Sequence, residues 1–423
     1  MSYLVKFAIG IVEHNFLYYS LLCFILFLIQ FFLVKKHIYS IFDPLFFFIG
    51  FNSFAWSTAF FSSEWNVFPI LDISVMNLAF LLPALFIKPI SMNSYHQALL
   101  LRLRAIDFQI FYTITIIMVL ATLILWLFRG IPVLSDNPDQ SKIMLYSGGF
   151  GIVRFIHMTT PVFCCLFSLL SLILNDNSTV KKMFLWFIII ISSFILVSTG
   201  SKSSILPLVF IFGFVSCLAP YNKKAKRMKT ATYWLLLFTI IVVFIVFSLI
   251  SKSTSFNVIF ELFLIRMIAF GDAFYFWYHF HLESKMVQIN LIYYLFEPLL
   301  SMLKLVQHPF PLGAELVSVA TGDDLVSFGP NGQLPIVLAL SIGYAKYFII
   351  FLFGCCLFWL RSNLHRIVSK FGIFGMLLFS SSFFLLTNIY ADISLLLSTI
   401  YAVIIIYFPL YVFLSLFKKK VEK

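Results

Sequence analysis

The chain has 423 residues, of which 62% are hydrophobic and only 11% charged, and its mean hydropathy is +1.03. These values set it apart from soluble and disordered chains and place it among polytopic helical membrane proteins. The formal charge of +12 does not argue for nucleic acid, because a polytopic protein accumulates inner-leaflet Lys and Arg for topology alone.

Apolar runs long enough to cross about 30 Å of hydrocarbon are predicted at 16–34, 41–61, 68–87, 108–128, 153–174, 183–199, 204–220, 231–250, 335–359, 371–389 and 392–415. The expected fold class is therefore all-α: a single membrane domain over 1–423 with about eleven transmembrane helices. The first run does not read as a cleavable signal. It is too long for an h-region, and Lys35-Lys36-His37 follows it where small residues would be needed.

Orientation follows from the basic residues. Most of the 29 Lys and Arg fall in the connectors 35–40, 88–107, 175–182, 220–230 and 360–370 and in the tail from Lys418. By the positive-inside rule these face the cytoplasm. The N-terminus is then expected outside, the C-terminus inside, and the long segment 251–335 external. That segment is too aromatic and apolar to be disordered, and connections of its length are mostly functional.

The six cysteines, Cys23, Cys164, Cys165, Cys217, Cys355 and Cys356, all fall in predicted spans, where they behave as small apolar residues. None shows zinc-site spacing. The 55 phenylalanines carry no functional inference.

Of the external basic residues, the arginines stand out, since topology does not favour them there and a guanidinium presents a fixed fork of donors to phosphate oxygens. Arg129 closes the fourth span in Phe128-Arg129-Gly130-Ile131-Pro132, and Arg154 opens the fifth after Ser147-Gly148-Gly149-Phe150-Gly151. Either alone reads as a snorkelling anchor. Together they bracket one Gly-rich loop, 129–152, and point to an anionic ligand. Lys202 lies in the hairpin Ser198-Thr199-Gly200-Ser201-Lys202-Ser203-Ser204, where free backbone N–H groups at a helix start can hold an anion. It is not a P-loop: the spacing differs and the hairpin faces away from cytoplasmic nucleotides.

The long segment opens with Phe256 to Phe270, apolar except for Asn257, Glu261 and Arg266. It is too short to span and is predicted to be an interfacial or re-entrant helix, bent or ended at Gly271. If helix resumes, Asp272, Tyr275 and His279 share one face beside Phe274, Phe276 and Trp277, rings that suit a membrane interface. Downstream, Gln307-His308-Pro309, Gly313-Ala314-Glu315, Thr321-Gly322-Asp323-Asp324 and Gly329-Pro330-Asn331-Gly332-Gln333 are turn chemistry. His308 and Glu315 are candidate proton acceptors. Gly-Asp-Asp reads as a turn, and no metal site is expected.

With these residues the chain resembles the oligosaccharide repeat unit polymerase family, the O-antigen polymerases of Gram-negative inner membranes. The likeness is one of architecture over most of the chain: about eleven spans, the loop around Arg129 and Arg154, the Thr199-Gly200-Ser201-Lys202 hairpin and one long late external segment. The hairpin often carries arginine in that family where this chain has Lys202. The resemblance implies glycosyl transfer at the periplasmic face, joining undecaprenyl-diphosphate-linked oligosaccharides into polysaccharide without a cofactor. The partners expected are the lipid-linked oligosaccharide, the bilayer and a chain-length regulator, with no nucleic acid. Arg129, Arg154, Lys202 and Arg266 would stabilise the leaving diphosphate, and Asp272 or His308 would take the proton from the attacking hydroxyl.

Three other readings compete. A lipid-linked oligosaccharide flippase shares the composition, but it needs charge inside the spans, and Asp43, Asp72 and Asp392 lie near span ends. It also tends to show internal repeats, which are not apparent. An O-antigen ligase differs from a polymerase only in its acceptor. A membrane acyltransferase would need a His-centred site, and His37, His96 and His365 have no carboxylate nearby in sequence.

Overall fold

The computed structural model describes residues 2–103, 108–135, 141, 151–175, 178–199, 206–218, 223–251, 255–306, 311–323 and 329–413. The described residues form helices joined by turns, with no strand among them. Among the described residues, eight helical segments are long and apolar enough to cross a membrane: Phe16–His37, Pro44–Ser62, Val67–Leu85, Phe108–Leu134, Gly151–Leu174, Thr179–Ser198, Leu334–Phe383 and Ile393–Phe413. The chain is a multi-pass membrane protein.

Several expected spans take a different form. At 204–220 the described helix is Leu206–Ser216, eleven residues. The expected span 335–359 is interrupted: Leu334–Ile342 ends at Gly343, whose φ of +56° is left-handed, and a new helix starts at Lys346. Glycine has no Cβ to clash in that region, so it permits a break that hydropathy does not register. Helix Lys346–Phe383 is itself interrupted at Gly372, so the expected spans 335–359 and 371–389 fall on one interrupted run.

Where the sequence reads as one membrane domain, the chain divides into two compact units. One comprises Met1–Pro89, Phe238–Leu360 and Thr387–Leu395, the other Ile90–Leu237, Arg361–Leu386 and Leu396–Lys423.

In the first unit, helix Ser2–His14 precedes the first span and packs on Phe256–Ile268. Its apolar face joins Ala8 and Ile11 to Tyr19, Cys23 and Ile268. Phe256–Ile268 and Asp272–His279 are joined by the tight turn Ala269–Gly271, as expected from the glycine there. Both pack against the spanning helix Pro44–Ser62.

Gly271 makes that approach possible. A Cβ there would lie 2.4 Å from Thr58 Cβ and 2.9 Å from the Ala55 carbonyl oxygen. The Thr58 hydroxyl donates to the Ile268 carbonyl at 3.0 Å, and Phe270 stacks on Phe51 at 4.2 Å between centroids. Gly271→Ala is therefore expected to cost about 1–3 kcal/mol by overpacking. Gly151→Ala, whose added Cβ meets nothing within 4 Å, is the control. Thermal unfolding in detergent compares the two.

The same docking corrects the reading of the aromatic run. Phe274, Tyr275, Phe276, Trp277 and Tyr278 are buried against Pro44–Ser62 and Leu312–Thr321. They form protein interior, not an interfacial belt. Large rings supply much apolar area to a helix of only eight residues.

Several polar side chains inside this unit satisfy one another. Asn52 Nδ2 donates to Gln30 Oε1 at 2.8 Å and to Asn77 Oδ1 at 2.6 Å, and the Tyr390 hydroxyl donates to the same Asn77 oxygen at 2.8 Å. Paired amides of this kind carry little penalty in an apolar surround.

In the second unit, Gly151–Leu174 is the central helix and packs against Phe108–Arg129, Thr179–Ser198, Leu206–Ser216 and Met92–Leu103. Buried Phe111, Phe163 and Phe167 interlock, with Phe111 and Phe167 centroids 4.2 Å apart. The Tyr95 hydroxyl donates to the Arg361 carbonyl at 2.5 Å, and the Thr160 and Tyr407 hydroxyls are hydrogen-bonded. All six cysteines are free thiols.

Candidate functional site

The second unit brings the two bracketing arginines to one end. Helices Phe108–Arg129 and Gly151–Leu174 run antiparallel, because Phe111 meets Phe167, Thr115 meets Cys164 and Thr122 meets His157. Continuing that register carries Arg129, in the last turn of one, and Arg154, in the first turn of the other, to the same end. Helix Thr179–Ser198 runs parallel to Phe108–Arg129, since Tyr112 meets Phe184, Met118 meets Ser192 and Trp126 meets Phe194. Its cap, Thr199, therefore lies at that same end. Both guanidinium side chains are half-buried, and Arg154 stands over the Phe155 ring at 5.0 Å. Lys202 lies outside the described residues, as do 136–140 and 142–150 of the loop 129–152.

In the first unit Arg266 lies near enough for its charge to act on the Asp272 carboxyl, without an ion pair between them. Arg266 is exposed in the last turn of Phe256–Ile268, and Asp272 opens the next helix, where its Oδ1 accepts from the Ala273 backbone N–H at 2.8 Å. Burial pushes the Asp272 carboxyl up to about 7, while that N–H bond and the Arg266 charge pull it back down. A carboxyl whose ionisation lies near neutrality fits proton transfer at working pH. Tyr275 and His279 do share a face, their rings stacked at 5.0 Å. His308 lies outside the described residues.

The turn motifs downstream pack onto this region. Helix Leu312–Thr321, which carries half-buried Glu315, touches Asp272–His279, and burial raises the Glu315 carboxyl. The backbones of Gly313 and Gly329-Pro330 lie in direct contact. Gln333 Nε2 donates to the Phe270 carbonyl at 3.1 Å, so the Gly329-to-Gln333 loop is tied to the turn that precedes Asp272.

One charged pairing escaped the sequence reading. Asp72 and Lys346 form an ion pair, with the lysine Nζ 2.8 Å from Oδ1 and 2.9 Å from Oδ2. The Tyr347 hydroxyl donates to Oδ1 at 2.6 Å. The only sequence signal was Gly343 three positions before a lysine on the side expected to be poor in lysine. Among the described residues, no group of three or more His, Cys, Asp and Glu side chains is placed to hold a metal ion.

No family model, curated protein or solved structure matches the chain.

Proposed function

We propose that this chain is a glycosyltransferase of the bacterial inner membrane that polymerises polyprenyl-diphosphate-linked oligosaccharide repeat units into O-antigen polysaccharide at the periplasmic face. The observation that carries the reading is the Asp272 carboxyl, pushed up to about 7 beside the Arg266 guanidinium. Asp272 takes the proton of the attacking sugar hydroxyl. Outside the cytoplasm no nucleotide sugar is at hand, so the leaving group is a lipid diphosphate whose developing charge needs fixed cations. Arg266, in the same unit as Asp272, suits that need; Arg129, Arg154, Lys202 and His308 keep the roles that the resemblance implies.

A second reading, a flippase for the same lipid-linked oligosaccharide, draws on the helix breaks at Gly343 and Gly372. Interrupted helices within a membrane commonly line a path. One experiment separates these readings: the electrophoretic profile of surface lipopolysaccharide from a strain lacking the gene, with and without a plasmid copy. Polymerisation is expected to show as core bearing a single repeat, restored to a ladder by the plasmid. Core with no repeat points to flippase or ligase, and an unchanged ladder rejects all three.

A further inference from the structure

The loop Gly329-Pro330-Asn331-Gly332-Gln333 is built to close tolerance. A Cβ added at Gly329 would overlap the Gly313 carbonyl, one at Gly313 would overlap the Pro330 carbonyl, and one at Gly332 would lie 3.0 Å from the Tyr294 hydroxyl. The loop therefore runs backbone to backbone against the start of helix Leu312–Thr321, which packs in turn on Asp272–His279. At its far end Gln333 enters helix Leu334–Ile342, where its carbonyl accepts from the Ile336 and Val337 N–H groups at 3.0 and 3.1 Å. The backbone of Gln333 is thus held by the loop before it and by the helix after it.

From that fixed point the side chain reaches another segment. Gln333 stands at the N-cap of its helix, yet its side chain makes no capping bond there. Its Nε2 donates instead to the Phe270 carbonyl, 63 positions away, at 3.1 Å. That carbonyl belongs to the turn Ala269–Gly271, from which Asp272 starts the next helix. The same turn is held from the spanning helix Pro44–Ser62, where the Thr58 hydroxyl donates to the Ile268 carbonyl at 3.0 Å and Phe51 stacks on Phe270. Two side chains from separate elements therefore grip carbonyls two residues apart in the approach to Asp272.

Stability alone explains this amide poorly. Gln333 is 6% exposed, and among the described residues its Oε1 is buried without a hydrogen-bond partner. A buried acceptor left unpaired costs at least as much as a made hydrogen bond contributes, so the amide adds little net stability. What it does supply is placement, because the bond holds the Phe270 carbonyl within about 3 Å of a fixed nitrogen.

We propose that Gln333 is a positioning residue for Asp272: by holding the Phe270 carbonyl it fixes the turn that aims the carboxylate, and the Gly329-to-Gly332 loop is the brace that holds Gln333. The catalytic consequence rests on the reading of Asp272 as proton acceptor in a polymerase; the placement of Asp272 by Gln333 does not.

The test uses the full chain carrying Gln333→Leu, which keeps the bulk and removes the donor. Gln333→Asn, an amide one methylene too short for the bond, is the second variant. A water-soluble carbodiimide with a small amine labels protonated carboxyls, and mass spectrometry of the purified protein follows labelling at Asp272 and Glu315 across a pH series. The Ala273 N–H bond holds the Asp272 carboxyl down. A relaxed turn weakens that bond, so in Gln333→Leu labelling of Asp272 is expected to persist to a pH about one unit higher, while Glu315 labels as in the wild type. Unchanged labelling of Asp272 overturns the proposal. So does an equal change at both carboxyls, which marks general loosening, or failure of both variants to insert, which marks Gln333 as structural. In isolated membranes Gln333→Leu is expected to slow polymerisation by about tenfold to a hundredfold, the scale of a misplacement near 1 Å. It should cause no further loss in an Asp272→Asn background, because residues that act as one unit are not additive; a further tenfold loss there overturns the proposal. If Asp272 labelling shifts as expected but Asp272→Asn polymerises at the wild-type rate, the catalytic reading of Asp272 fails while its placement by Gln333 stands.

Discussion

Asp272→Asn is expected to lower the rate of polymer formation by about 10²–10⁴, the usual contribution of a positioned general base, with the protein inserted at normal abundance. Asparagine keeps an oxygen for the Ala273 N–H, which Asp272 Oδ1 accepts at 2.8 Å, so the start of the helix survives and the change removes only the proton-accepting group. The working form of the base is the carboxylate. Because burial pushes that carboxyl up to about 7, the wild-type rate is expected to be low in acid and to rise as pH passes through about 7. Arg266 pulls the carboxyl downward, so Arg266→Ala should move the rise to higher pH. Polymerisation by isolated membranes across a pH series reads both effects. A flat profile in the wild type, or wild-type rates from Asp272→Asn, would remove Asp272 from the mechanism.

Arg266→Ala and Arg154→Ala are each expected to reduce the polymer ladder to near a single repeat. A charge-assisted hydrogen bond is worth roughly 1.5–3 kcal/mol, and about 1.4 kcal/mol is tenfold in rate, so losing one bond to the departing diphosphate costs about tenfold to more than a hundredfold. Arg266 is exposed on its helix, and replacing an exposed side chain usually changes stability by no more than about 0.5 kcal/mol. Loss of polymer at normal abundance thus reports on chemistry. Arg154 is half-buried over Phe155, so Arg154→Lys is the informative companion: it keeps the charge, loses the planar fork, and should retain intermediate activity. Wild-type polymer length from both alanine variants would sink the assignment of these arginines to charge stabilisation.

How far the sequence reaches is clearest within the segment 251–335. The turn at Gly271 and the shared face of Asp272, Tyr275 and His279 were legible, because a glycine after an apolar run and a helical spacing are local signals. Burial of Phe274 to Tyr278 was not. Hydropathy measures distance from water, and a ring scores the same against lipid as against the helix Pro44–Ser62. The docking of Ser2–His14 on Phe256–Ile268 escaped for the same reason: its amphipathic face names no partner.

The sequence by itself determined that this is an all-helical membrane chain and where most of its long spans lie. These are properties of apolar run length and of charge placement, each readable within about twenty residues. Only the tertiary structure decided that the helix carrying Lys346 begins after a break at Gly343, and that this lysine meets Asp72, 274 positions away. Such pairings depend on which faces of equally apolar helices come together. In a bilayer that choice is made by close approach and by hydrogen bonds between helices, because the hydrophobic effect that drives burial in water does not distinguish one apolar face from another.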